Sequence, residues 1–323
     1  MNEFGVHSLF HTMDALGQMS LPVPSGAEVH EVEVTWDVEY GEDRAHRMDV
    51  WRPARPAPEG GWPCAMFVHG GGFTALSKRT HWAFARVLAR RGWVVFSIDY
   101  RLAPEHSFPT PVQDAALALE WIGRRGAAHG ADTDRLVLYG ESAGANLVTA
   151  LGVACSYRRD ELWARHLYDS GVRPKALLVM SGLLQVSDPE RYTARASVSK
   201  AAAWALGDAC RAYLPYPASG ENAMADPLVV LERRATPDRP LPQVFAAVGM
   251  KDPLVEDTRR LERALWALGA PVTARYYRGV GHSFMAFLWR KQAQLFWKDA
   301  LGFLADAVAP EQAQTPSRDR MGA

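Results

Sequence analysis

Only three cysteines occur in the 323 residues, Cys64, Cys155 and Cys210, and their scatter excludes a disulfide framework and a C-x-x-C metal site. No run of 18 apolar residues is present, so no membrane-spanning helix is expected. Neither sign of charge dominates. The 36 Lys and Arg balance 36 Asp and Glu, with no basic stripe suited to nucleic acid and no acidic tail. Phosphate-cradling loops are missing as well, because neither G-x-x-x-x-G-K-S/T nor G-x-G-x-x-G occurs. The N-terminus, Met1 to His7, has neither the positive region nor the apolar stretch of a signal peptide, which makes the cytoplasm the expected location.

What is present is a long alternation of short apolar runs and helical stretches. Val32 to Val38 alternates and His46 to Trp51 follows Gly41-Glu42-Asp43, so these two segments read as a hairpin. From Cys64 onward, strand-like runs recur at Cys64 to Val68, Val94 to Ile98, Leu136 to Tyr139, Ala176 to Met180, Gln243 to Val248 and Val272 to Tyr277. Such alternation predicts an α/β fold, a mostly parallel sheet of about eight strands with helices on both faces. Residues 184–225 interrupt the pattern with polar turns and a helix around Ala201 to Tyr213, and together with a partly helical segment 1–30 they read as a cap. Residues 1–308 are then one catalytic domain, and 309–323, rich in Pro, Gln, Ser and Arg, are expected to be a disordered tail.

Two glycine-bearing loops carry the chemistry. Gly140-Glu141-Ser142-Ala143-Gly144 joins a buried strand to a helix, the strand–turn–helix setting of a nucleophile elbow. Glycines at both ends let strand and helix approach closely and leave Ser142 in a strained conformation with its hydroxyl exposed above the sheet. Upstream, His69-Gly70-Gly71-Gly72-Phe73 follows a second buried strand and precedes a helix starting near Thr80. Three consecutive glycines can turn backbone N–H groups toward one point, where they, with the N–H of Ala143, hold an oxyanion.

A serine nucleophile needs a base, and the base an orienting acid. Asp252 ends the strand-like segment Gln243 to Val248, and His282 lies in the glycine-flanked loop after Val272 to Tyr277. Both fall at the sheet edge where Ser142 is expected, in the chain order serine, acid, histidine. Of the other histidines, His69 is expected to brace its loop, while His81, His129 and His166 precede any acid candidate. Asp257 is a rival acid placed inside a helix, and Asp226 a rival with no strand before it.

With these residues in place the chain resembles the hormone-sensitive-lipase-like group of α/β-hydrolases, the bacterial family IV esterases. The matches are His69 to Phe73, Tyr100 to Glu105, Gly140 to Gly144, Asp252 to Leu254 and His282 to Phe284, in family order. The resemblance implies a triad of Ser142, Asp252 and His282, oxyanion donors at Gly71, Gly72 and Ala143, and carboxylic-ester hydrolysis without metal or organic cofactor. It also permits a homodimer. Glu141 and Ala145 stand where family members commonly carry Asp and Gly, which bears on substrate preference.

The expected partner is a small ester of short to medium acyl chain. Phe73, Trp204, Tyr213, Tyr216 and Phe284 are candidates for the walls of its pocket, and each fits core or cap packing equally well. An arylformamidase-like amide or formamide hydrolase shares the loop, elbow and triad order. A non-catalytic receptor on the same fold is a further alternative, against which the intact set Ser142, Asp252 and His282 argues.

Overall fold

The fold is described from a computed structural model, which describes residues 30–195, 197–216 and 220–309. Apart from residues 30 and 309, the helical segment and tail expected at the two termini lie outside these residues. Eight strands form one sheet in the order β1-β2-β4-β3-β5-β6-β7-β8. They are β1 Val32–Glu39, β2 Arg47–Pro53, β3 Trp62–Val68, β4 Val94–Ile98, β5 Ala131–Glu141, β6 Ala176–Met180, β7 Gln243–Gly249 and β8 Val272–Tyr277. β2 runs antiparallel to β1 and β4, and every other pairing is parallel.

Burial explains the strand sequences. β4 and β6 are covered on both faces, so all five residues of each are buried and nearly all apolar. The edge strand β1 instead alternates half-buried and exposed residues over most of its length. β5 is longer than the apolar run Leu136 to Tyr139 suggests. Its start pairs Ala131 with Trp62, and the register then jumps so that Leu136 faces Cys64. Polar residues Thr133 to Arg135 fill the jump and hide the early pairing from any apolar pattern.

Helices α1 (Trp82–Ala89), α2 (Thr110–Arg125), α3 (Ala143–Ser156), α4 (Leu162–Ser170), α5 (Glu190–Thr193), α6 (Lys200–Tyr213), α7 (Pro227–Glu232), α8 (Val255–Ala267) and α9 (Lys291–Ala307) complete the described chain. α1 and α9 pack with Phe67, Tyr139 and Phe245 on one face of the sheet. α2, α3 and α8 pack with Met66, Leu138 and Val179 on the other. All 14 residues of α3 are buried, which makes it the central helix of that face. β3 sends its chain toward β4 and β5 sends its chain toward β6, so the crevice between β3 and β5 is the switch point where open α/β sheets place ligands.

The excursion that reads as a cap leaves and returns at one side chain. Asn146, wholly buried in the first turn of α3, donates from Nδ2 to the carbonyls of Leu183 at 2.9 Å and Ala225 at 3.0 Å. Asp226 closes the same neck by accepting the backbone N–H groups of Val186 and Ser187. Asp257 accepts from the N–H of Leu184 and pairs with Arg191 of α5. Arg195 donates to the carbonyl of Pro253 at 2.9 Å. Asp226 is therefore consumed in closing the neck of the excursion, and Asp257 as a strut between the excursion and α8. Among the described residues no helix is long and apolar enough to cross a membrane. Replacing Asn146 by Ala strands two buried carbonyls, and urea unfolding is expected to show a loss of about 2–3 kcal/mol.

Candidate active site

Ser142 sits between β5 and α3 with φ 55° and ψ −113°, a region that side chains other than glycine rarely occupy. The turn is tight because neither flanking glycine has a Cβ. One at Gly140 would overlap the backbone of Gly144, and one at Gly144 the carbonyls of Val68 and His69. The N–H of Ser142 donates to Met180 of β6 at 2.9 Å, which ties the apex to the neighbouring strand. The hydroxyl thus stands at the N-terminal end of α3, where the helix dipole favours negative charge.

Three loops at the same sheet edge converge on that hydroxyl. Its Oγ–H faces Nε2 of His282 at 3.1 Å, and Nδ1 of His282 lies 3.0 Å and 3.2 Å from the two oxygens of Asp252. Asp252 fixes the tautomer by accepting the Nδ1 proton, leaving Nε2 free to accept. Asp252 is itself held, with Oδ1 accepting the N–H of Leu254 at 2.9 Å. Asp252 is buried, whereas the ring of His282 is 36% exposed, so solvent reaches the ring from one side.

The glycine loop lies across the switch point from the elbow. Gly71 and Gly72 take φ 108° and 61°, values open to glycine, and among the described residues their N–H groups and that of Ala143 donate to no protein acceptor. His69 braces the loop as expected from its position: Nδ1–H donates to the carbonyl of Gly70 at 2.7 Å, and the ring stacks on Tyr100. Burial, with the nearby charge of His81, pushes His69 down to about 3, so its ring is neutral. Tyr100 in turn donates to the carbonyl of His69 at 3.0 Å. Beneath them, the buried ammonium of Lys78 meets Asp37, Asp49 and Asp99 at 2.7, 3.1 and 3.5 Å.

The aromatic candidates separate. Phe73 and Tyr213 are fully buried and stack with centroids 3.7 Å apart, joining the glycine loop to α6. Phe284 belongs to the core under α9, against Tyr277 and Phe296. Trp204 is 68% exposed and Tyr216 81% exposed. A residue singled out only for its departure from the family pattern proves to face the His282 ring: Glu141, whose Oε1 is 3.4 Å from Nε2. Its position beside Ser142 was the one available signal. Among the described residues no group of three His, Cys, Asp or Glu is arranged to hold a metal ion.

A family model described as the alpha/beta hydrolase fold matches residues 65–286, more than half of the chain. The chain belongs to this α/β-hydrolase family, in its hormone-sensitive-lipase-like group. Carboxylic ester hydrolase LipN of Mycobacterium tuberculosis is 32% identical over 238 residues, 72% of this chain and 60% of that protein. An AB hydrolase superfamily protein of Schizosaccharomyces pombe is 31% identical over 147 residues, 44% of this chain and 43% of that one. The chain thus spans less than two thirds of the length of these two relatives. A hyperthermophilic esterase from Pyrobaculum calidifontis has the same fold, with TM-score 0.73, 24% identity, and coverage of 96% of this chain and 95% of that one.

Burial works against a charged His282, but the charge and hydrogen bond of Asp252, and then the charge of Glu141, outweigh it and push the imidazole up to about 9. A base raised above its unfolded value stabilises the fold fully below the ordinary 6.5, and this contribution is lost as pH rises through the folded value. Proton NMR of the His282 ring is therefore expected to show titration well above 6.5, and a midpoint at or below 6.5 contradicts the arrangement.

Proposed function

We propose that the protein is a serine carboxylesterase that hydrolyses short- to medium-chain acyl esters through an acyl-enzyme. The observation that carries this reading is the continuous line from Ser142 Oγ to Nε2 of His282 at 3.1 Å and from Nδ1 to Asp252 at 3.0 Å, built on a strained elbow. His282 takes the hydroxyl proton as Ser142 attacks the ester carbonyl, and Asp252 stabilises the resulting imidazolium. The N–H groups of Gly71, Gly72 and Ala143 receive the oxyanion; loss of one such donor typically costs about 10²–10³ in rate. His282 then protonates the departing alcohol. In the second half it removes a proton from water, which attacks the acyl carbonyl; the acyl–Oγ bond breaks, the acid is released and His282 returns the proton to Ser142 Oγ.

The substrate range follows from what stands over the loop. A Cβ on Gly72 would come within 3.0 Å of the Cβ of Ala209 on α6, and the Phe73–Tyr213 stack closes the same side. Read as a cap over the crevice, the 184–225 excursion would limit the space for a long acyl chain. The names of relatives such as LipN support ester chemistry over amide chemistry. No cofactor enters this mechanism.

Hydrolysis of p-nitrophenyl esters from acetyl to hexadecanoyl, with wild type and Ser142→Ala in parallel, tests the reading. Activity is expected to peak at short chains and to fall on the order of 10⁴-fold or more in a folded Ser142→Ala. A well-folded wild type inactive on every chain length, yet active on an aryl formamide, would assign the site to amide bonds instead.

A further inference from the structure

His282 is flanked by a carboxylate on each ring nitrogen, and the mechanism above uses only one of them. Asp252 meets Nδ1, whereas Glu141 Oε1 lies 3.4 Å from Nε2, the atom that gains the proton from Ser142. Glu141 is the last residue of β5 and only 3% exposed, so its carboxylate is fixed rather than trailing in solvent. Ser283, held at φ 54°, donates its hydroxyl to Oε1. Oε2 occupies the room left by the missing side chain of Gly70, where a Cβ would overlap it, and lies 3.8 Å from Nε2 of His81. The carboxylate is thus anchored on three sides, with its remaining edge toward the base.

We propose that Glu141 is a positioning residue for His282: its fixed carboxylate stabilises the imidazolium formed during ester turnover and sets the pH above which His282 acts as a base. The inference rests on the serine-esterase reading. When Ser142 attacks, its proton moves to Nε2, and the new N–H lies between Ser142 Oγ at 3.1 Å and Glu141 Oε1 at 3.4 Å. The proton then passes to the leaving alcohol oxygen, and Glu141 takes no part in the transfer. Attraction at these distances in a partly water-excluded site favours the charged ring over the neutral one. From the described elements, the charged groups facing His282 are Asp252, from the loop after β7, and Glu141, from the end of β5. His81, ahead of α1, faces Glu141.

Length matters here. Asp, the residue family members commonly carry at this position, is one methylene shorter and would withdraw the charge from Nε2. The glutamate therefore trades easy deprotonation of the base at neutral pH for a better-stabilised intermediate.

The test compares wild type, Glu141→Gln, Glu141→Asp and Ser283→Ala by pH profiles of kcat/KM on p-nitrophenyl butyrate and by proton NMR of the His282 ring. Glu141→Gln is expected to move the acid limb and the ring titration down by about one pH unit and to lower kcat about tenfold with little change in KM. Glu141→Asp should fall between it and wild type. A folded Glu141→Gln with an unmoved limb and an unmoved ring titration overturns the proposal. If Glu141→Gln does not fold, Glu141→Asp and Ser283→Ala decide, and an unmoved limb in both overturns it equally. A wild type that turns over no ester removes the esterase reading alone, because the ring titration still reports the effect of Glu141.

Discussion

Ser142 is held at φ 55° because β5 and α3 meet without room for any side chain at Gly140 or Gly144. The cost of such a conformation is about 1–3 kcal/mol, and it persists only where the surroundings leave no alternative. Here the surroundings are the wholly buried α3 and the adjacent strand β3, whose last residue, Val68, presses on Gly144 together with His69 after it. Because β3 and β5 are neighbours at the switch point, the same packing that aims the hydroxyl also sets the glycine loop opposite it. The site is thus assembled by the sheet's topology, and each loop adds one of its groups: the Ser142 hydroxyl, the N–H groups of Gly71 and Gly72, the Asp252 carboxylate and the His282 ring.

The first turn of α3 also reaches outward. Asn146, one turn beyond Ser142, holds both ends of the 184–225 excursion through Leu183 and Ala225. Arg191 and Arg195 then connect that excursion to Asp257 and to the carbonyl of Pro253, next to Asp252. Elbow, excursion and acid loop form one connected hydrogen-bonded frame. Through Arg195 the excursion is thus tied to the residue beside Asp252.

Much of this was legible in the sequence because the central strands are buried on both faces. Val94 to Ile98 and Ala176 to Met180 are apolar runs whose limits coincide with β4 and β6. That Ser142, Asp252 and His282 meet at one sheet edge was legible from order and loop context, since each follows a strand-like run. Less legible was whatever depends on three-dimensional packing. Thr133 to Arg135 conceal the early start of β5. Phe284 and Phe73 carry the same aromatic signal, yet one lies under α9 and the other against Tyr213. Asp226 and Asp257 read as rival acids because their hydrogen-bond partners lie about 40 to 70 residues away in the chain. The orientation of Glu141 toward His282 depends on Ser283 and on the space above Gly70, neither visible from one position.

The most direct test is covalent labelling of the folded protein with a fluorophosphonate, followed by peptide mass mapping. A single adduct on the peptide bearing Ser142, abolished by His282→Ala, is the result this account requires. An active protein that carries no adduct, or carries it on another serine, would contradict it.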